Sequence, residues 1–184
     1  MAGMNVKNEI TIGELTFTEY IHHTEIENKV LEIAENISKQ YFGKTPLFLV
    51  IMNGAFMYAA DLIRNLNFAA EVVFIRVKSY HGTESTGNIK IFMPEDVVIK
   101  GRHIILVEDI IDTGNSMSAL IPELMKKKPE SLALTSILIK PEAHLHKIKI
   151  DFPGMEIPNK FVIGYGLDYN GIGRNLKDIY QLKS

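Results

Sequence analysis

Ile104-Ile105-Leu106-Val107-Glu108-Asp109-Ile110-Ile111-Asp112-Thr113-Gly114-Asn115-Ser116-Met117-Ser118 is the stretch on which the fold turns. Four consecutive apolar residues, 104–107, predict a strand covered on both faces, the habit of a parallel sheet. The run ends in two carboxylates, crosses a short loop with a third, and enters a helix through Thr, Gly, Asn and Ser. In open α/β sheets ligands bind beyond the carboxyl ends of the strands. Residues 113–116 would present N–H groups and hydroxyls at a helix N-terminus, where the dipole favours an anion. The stretch therefore offers a phosphate cradle with Glu108, Asp109 and Asp112 beside it. A solvated acidic turn is the plainer reading, but acids massed beside an anion cradle call for sugar hydroxyls or a divalent metal.

The whole chain bounds what this site can serve. With 184 residues it reads most simply as one domain, large enough to bury a substantial core. A composition 46% hydrophobic and 23% charged excludes disorder. No apolar run approaches the roughly 20 residues needed to span a bilayer. The first fourteen residues do not read as a secretory signal, and the absence of cysteine fits a cytoplasmic address. A formal net charge of −2 argues against bulk electrostatic binding to nucleic acid, so any polyanionic substrate must be held by local groups.

Outward from the centre, the pattern repeats strand then helix. Residues 1–20 give only a short extended piece around 15–17. Thr24 and Glu27 read as a capping box, followed by Ile26, Val30, Ile33 and Ile37 at helical spacing and a stop at Gly43. Residues 47–52 predict a second buried strand, then Asn53-Gly54-Ala55, then a helix with Phe56, Ala60 and Ile63 on its apolar face. Residues 71–79 alternate as a strand nearer an edge, and 80–88 turn wholly polar. The central helix runs from Ser116 to about Lys126, and 132–139 is another buried strand ending in Lys140. His144 and His146 would share a face if extended, a spacing more typical of surface decoration than of a metal pair. Residues 160–166 predict a short strand before Asp168 and a glycine-rich loop bearing Arg174. Two nucleotide-binding fingerprints fail: Ser38 stands where a P-loop before Gly43-Lys44-Thr45 needs glycine, and Tyr169 where the run from Gly164 does.

The central stretch resembles the phosphoribosyl-pyrophosphate signature of the type I phosphoribosyltransferases: apolar strand, two acids, two apolar residues, a variable position, then Thr-Gly. Asp at the variable position, as in Asp112, is the form seen in enzymes acting on 6-oxopurines. Three further blocks resemble that branch in order and spacing: the loop around Asn53 and Gly54, the Ser79-Tyr80 pair opening a polar lid, and Lys140 with 158–174. The chain is therefore identified as similar to the hypoxanthine (hypoxanthine-guanine) phosphoribosyltransferase family. One departure stands out, because many members have Lys where this chain has Asn53.

The resemblance implies an α/β fold, a parallel sheet over about 21–140 with a small hood built from about 1–20 and 141–184. It implies transfer of a phosphoribosyl group from phosphoribosyl pyrophosphate to hypoxanthine, with guanine as a second base, in purine salvage. Asp112 is then the general base at N7, and Thr113, Gly114, Asn115 and Ser116 hold the 5-phosphate. Glu108 and Asp109 serve the ribose hydroxyls and, with Asp168, a Mg²⁺ ion. Lys140 donates to the exocyclic O6, Phe161 covers the purine, and the backbone of Val162 reads its edge. Arg174, Asn53 and Gly54 face pyrophosphate, and Ser79 and Tyr80 belong to the lid. The expected partners are these small molecules and further copies of the chain, as dimer or tetramer, with no nucleic acid and no membrane. A non-catalytic RNA-binding regulator on the same fold would need a basic face and would lack Asp at position 112.

Overall fold

The computed structural model describes residues 8–79 and 89–183. The chain opens with strands β1 (Glu9–Ile12) and β2 (Leu15–Ile21), paired antiparallel, and passes directly into helix α1 (His23–Gln40). The β1–β2 hairpin turns at Gly13, whose φ is +61°; the sequence suggested only its second arm. Next come β3 (Leu47–Ile51), α2 (Phe56–Arg64), β4 (Glu71–Ser79), β5 (Ile89–Phe92), β6 (His103–Ile111), α3 (Asn115–Lys126) and β7 (Ser131–Ile139). After a single 3-10 turn at Pro141–Ala143 the chain adds β8 (Phe152–Glu156), β9 (Val162–Ile163) and β10 (Ile179–Leu182).

Six strands form the central sheet in the order β5-β4-β3-β6-β7-β8. All neighbours are parallel except the β4–β5 pair at the edge. The uninterrupted apolar runs explain this, because both faces are covered and alternate residues serve opposite cores. Phe48, Val50, Ile105 and Val107 pack with Ile26, Val30, Ile33 and Ile37 of α1 and with Tyr58 and Leu62 of α2. Leu47, Leu49, Ile104 and Leu106 pack with Met117, Leu120 and Leu124 of α3. β3, β6 and their neighbours thus read as continuous hydrophobic stretches instead of alternating ones.

Two details of the helices differ from expectation. The first helix is not capped by Thr24 and Glu27. His22 is its N-cap, and its ring accepts from the Thr24 N–H. The Asp178 carboxylate takes the His23 N–H at 2.7 Å, so a distant residue supplies the cap a local box would have given. On α2 the buried residues are Tyr58, Ala59 and Leu62, while Ala60 is exposed; the true face is one position away from the one the sequence suggested.

The chain ends meet in a second, four-stranded sheet ordered β1-β2-β10-β9, whose pairings are antiparallel. Phe17, Ile163 and Tyr180 form its small core. Two close backbone approaches shape this region, the first within it and the second tying it to the loop after β3. A Cβ on Gly164 would lie 2.1 Å from the Asp178 carbonyl, and one on Gly166 would lie 2.1 Å from the Gly54 carbonyl. Their φ values of +97° and +101° are open to glycine at no steric cost.

Candidate active site

The sheet's connectivity decides where a site can form. β3 leads through α2 to β4 on one side of it, while β6 leads through α3 to β7 on the other side. The loops after β3 and β6 therefore diverge, and a crevice opens between them at the strands' carboxyl ends. Asn53 and Gly54 follow β3; Glu108 and Asp109 lie at the end of β6. The pairing of β6 with β3 stops at Val107, whereas its pairing with β7 continues to Ile111. The two acids thus occupy a length of strand with one open edge. Their own carboxylates take nearby amides: the Asp109 N–H donates to Glu108 Oε1 at 3.2 Å, and the Ile110 N–H to Asp109 Oδ1 at 2.9 Å.

Asp109 is pressed onto the β3 loop. A Cβ on Gly54 would fall 1.5 Å from Asp109 Oδ2, so only glycine admits the carboxylate there. The Met52–Asn53 peptide, at the start of this loop, is cis. Asn53 carries no cation, but Arg76 of β4 reaches it, Nη2 to Oδ1 at 3.5 Å. Burial, then the neighbouring Asp109 carboxylate, push the Glu108 carboxyl well above the ordinary glutamate range. Two crowded carboxyls in a desolvated crevice form a set that a cation would relieve.

Beyond the acids, Glu108, Ile110, Asp112, Thr113, Asn115 and Ser116 line a cleft of about 190 Å³ at the start of α3. Gly114 is the N-cap, in the left-handed region at φ 80°, and with no side chain it caps none of the helix amides. The amides of Ser116 and Met117, which follow Asn115 in the first turn beside the cleft, are thereby left without a cap from Gly114, the arrangement that receives an anion. Thr113 Oγ1 accepts the Asn115 N–H at 3.3 Å. The loop is braced from outside by the Leu145 N–H on the Thr113 carbonyl at 2.9 Å. His146 Nε2 also holds Asn115 Oδ1 at 2.7 Å. No local pattern announces this brace, since His146 lies in an irregular segment and not on the strand that would have aligned it with His144.

Asp112 and Lys140 are brought together by parallel register. Ile111 pairs with Ile139, and the Lys140 N–H donates to the Ile111 carbonyl at 2.9 Å. The Lys140 ammonium, on a residue only 6% exposed, lies 2.8 Å from Asp112 Oδ2. β7 also leads to the second sheet: the Ile157 N–H, just past β8, donates to the Ile139 carbonyl at 2.8 Å. Four residues later Phe161 exposes 43% of its surface, its ring braced edge-on by Tyr169 at 6.0 Å and tilted against Phe17 at 6.2 Å. Val162 is buried and paired with Gln181. Phe161 and Val162 thus stand on the second sheet, while the acids and the anion cleft stand on the first.

Asp168 and Arg174 form an ion pair at 2.5 Å, with Arg174 Nη1 also donating to the Gly166 carbonyl at 2.7 Å. Since Gly166 rests on the Gly54 carbonyl, this pair lies beside the β3 loop. Glu108, Asp109 and Asp168 are not gathered into a closed three-ligand set within 4.8 Å of one another. A magnesium ion takes one or two carboxylates and completes its shell with water and substrate phosphates, so an open arrangement is compatible with it. Ser79 ends β4; Tyr80 and the polar segment 80–88 lie outside the described residues.

Comparison with known proteins identifies the family. A family model described as the phosphoribosyl transferase domain matches residues 17–170. The hypoxanthine-guanine phosphoribosyltransferase of Lactococcus lactis is 41% identical over 164 residues, 89% of each chain. That of Bacillus subtilis is 38% identical over 164 residues, covering 89% of this chain and 91% of the relative. Among solved structures, a Staphylococcus aureus hypoxanthine phosphoribosyltransferase superposes with a TM-score of 0.84 at 34% identity, covering 90% of both chains. A Trypanosoma cruzi hypoxanthine phosphoribosyl transferase gives 0.85 at 31% identity, covering 95% of both. From fold, site and kinship together, the chain belongs to the phosphoribosyltransferase family, in the group of the hypoxanthine-guanine enzymes.

Proposed function

We propose that this chain joins a 6-oxopurine, hypoxanthine or guanine, to C1 of phosphoribosyl pyrophosphate, releasing pyrophosphate and a nucleoside monophosphate. The observation that carries the assignment is the Lys140–Asp112 pair at the mouth of an anion cleft on α3. In the ion pair Asp112 is a carboxylate, an acceptor, which is the form a base at N7 requires. As the purine enters, Lys140 turns its ammonium to the exocyclic O6, and Asp112 is released to take the proton. The amides and hydroxyls of 113–116 hold the 5-phosphate, and the side chain of Asn115 is steadied by His146.

Phe161 offers its exposed face to the base, a stacking contact of about 1–3 kcal/mol by analogy with other base-stacking sites, and the Val162 backbone reads the ring's edge. Glu108 and Asp109 receive the ribose hydroxyls and stabilise the positive charge that develops on the sugar. Arg174, already oriented by Asp168 and Gly166, and the Asn53-Gly54 loop face the pyrophosphate. Mg²⁺ held by Glu108, Asp109 and Asp168, directly or through water, would neutralise the leaving group's charge.

We further propose that the chain works as a homo-oligomer, supported by the apolar groove lined by Met52, Phe74, Phe92 and Met93 on the β4–β5 edge. Phe74 and Phe92 there are 54% and 41% exposed. No described helix is long and apolar enough to cross a membrane. The deciding assay is spectrophotometric: each of hypoxanthine, guanine and xanthine with phosphoribosyl pyrophosphate, with and without magnesium. Turnover of none of the three with magnesium present would refute the assignment.

A further inference from the structure

Away from the crevice, a second cluster has no part in the chemistry above. His22 and His23 open α1, and Asp178 comes immediately before β10, 155 positions from His23. Among the described residues these three are the one group of His, Cys, Asp or Glu whose ligand atoms all lie within 4.8 Å of one another. His23 Nδ1 is 2.8 Å from Asp178 Oδ1, and His22 Nε2 is 3.9 Å from the same oxygen. The two rings lie 4.0 Å apart between centroids. Ligands on a tetrahedral zinc ion, with bonds of about 2.0–2.1 Å, stand about 3.3 Å from one another. The observed separations fall on either side of that value.

We infer that His22, His23 and Asp178 form a binding site for a divalent transition-metal ion of the zinc class, clipping the C-terminal strand to the start of α1. The ligand chemistry favours this class: two imidazoles suit zinc, cobalt or nickel, whereas magnesium and calcium prefer all-oxygen shells. The carboxylate is already fixed in place, accepting the His23 N–H at 2.7 Å, with only 16% of its side chain exposed. His22 has an outer partner as well, its Nδ1 lying 2.9 Å from Thr24 Oγ1. With Nδ1–H donating to that hydroxyl, the Nε2 lone pair faces the ion, and the long contact from the Thr24 N–H at 3.4 Å is given up. On the other ring the proton sits on Nε2 once Nδ1 binds, so the ion replaces the His23–Asp178 side-chain hydrogen bond. His22 keeps half its side chain in solvent, which leaves the remaining position to water.

The consequence is mechanical. Ile179, next to Asp178, pairs with Ile21, next to His22. An ion here therefore closes the joint between the chain-end sheet and the first helix of the core. The Asp178 carbonyl also backs Gly164, at the head of the segment that leads to Asp168.

The test uses the full chain without a histidine tag. Zn²⁺ titrated by calorimetry should bind one equivalent, Co²⁺ should give the visible bands of a tetrahedral ion, and Zn²⁺ should raise the melting temperature. His22→Gln, an exposed change that leaves the His23–Asp178 cap in place, should lower Zn²⁺ affinity by about tenfold or more and abolish the thermal shift. Asp178→Asn should do the same if it folds; the His22 variant decides the matter if it does not. A His144→Gln/His146→Gln variant should bind as the parent does. The inference is overturned if Zn²⁺ fails to bind at millimolar concentration, if His22→Gln binds like the parent, or if Co²⁺ shows only the weak bands of an octahedral ion. Purine transfer by His22→Gln should equal the parent's, so this result and the assay of the proposed function stand or fall separately.

Discussion

Lys140 Nζ lies 2.8 Å from Asp112 Oδ2, and the two residues reach each other because Ile111 and Ile139 are register partners at the ends of adjacent parallel strands. Asp112→Asn keeps the shape but removes the acceptor for the purine proton. Turnover should fall by roughly 10² to 10⁴, the range for loss of a general base. Steady-state rates with hypoxanthine measure this, and a variant running at the parent rate would clear Asp112 of the role. Lys140→Ala should raise KM for the purine while leaving the affinity for phosphoribosyl pyrophosphate near the parent's. Equal loss for both substrates would contradict its placement at O6.

Gly54 admits the Asp109 carboxylate where a methyl group would lie 1.5 Å from it. Gly54→Ala should expel that carboxylate from the crevice. We expect kcat/KM for phosphoribosyl pyrophosphate to drop at least about tenfold, equivalent to about 1.4 kcal/mol of transition-state stabilisation. Circular dichroism should show the helices intact. An alanine variant with unaltered kinetics would mean that Asp109 has no contact with the sugar or pyrophosphate.

His146 steadies Asn115 from outside the loop. Its removal costs one neutral hydrogen bond, about 0.5–1.5 kcal/mol. His146→Ala should therefore raise KM for phosphoribosyl pyrophosphate by about 2- to 10-fold with kcat little changed. A change confined to kcat would place His146 in the chemistry instead of the brace.

Alkaline stability should reflect two buried phenols. Burial raises Tyr58 and Tyr165 above their ordinary value of 10.0; for Tyr165 the Asp61 carboxylate, accepting its hydrogen bond, adds to the rise. Below pH 10 both folded and unfolded chains keep these protons. Above it the unfolded chain releases them first, so stability falls as pH rises further. Tyr165→Phe should flatten that decline in urea titrations across the alkaline range, and an unchanged slope would count against it.

The Tyr58 hydroxyl also allows a test of direction. Thr135 Oγ1 spends its proton on the Phe152 carbonyl at 2.9 Å, so Tyr58 must donate to Thr135. Tyr58→Phe should then cost about 0.5–1.5 kcal/mol, whereas Thr135→Val strands a buried phenol proton and should cost about 1–3 kcal/mol. The reverse order by chemical denaturation would show the donor and acceptor roles to be exchanged.

How much of this could be read before the structure depended on how local its cause was. Residues 104–107 announced a doubly covered strand because composition alone expresses that environment, and Thr113 to Ser116 announced a helix start because capping chemistry is local. Gly54 could be singled out, but not its reason, which is a carboxylate 55 positions later in the chain. The capping box at Thr24 was overruled by Asp178, a residue no nearby pattern could reveal. The β1–β2 hairpin was half seen because strands at a small sheet's edge carry weak apolar signals. Asn115's brace and Arg76's approach to Asn53 left no mark at all, being products of packing between distant segments.

The acids of β6 follow without interruption from the four residues whose alternation fills the two halves of the interior. Chain length within that strand is consequently a fixed parameter. Side chains at 104–107 can be exchanged for others of like volume, each at a modest penalty. Deleting or inserting a single residue there would interchange the two interior surfaces and carry Glu108, Asp109 and Asp112 out of alignment together. Natural variation at this place should accordingly be written in substitutions and never in gaps.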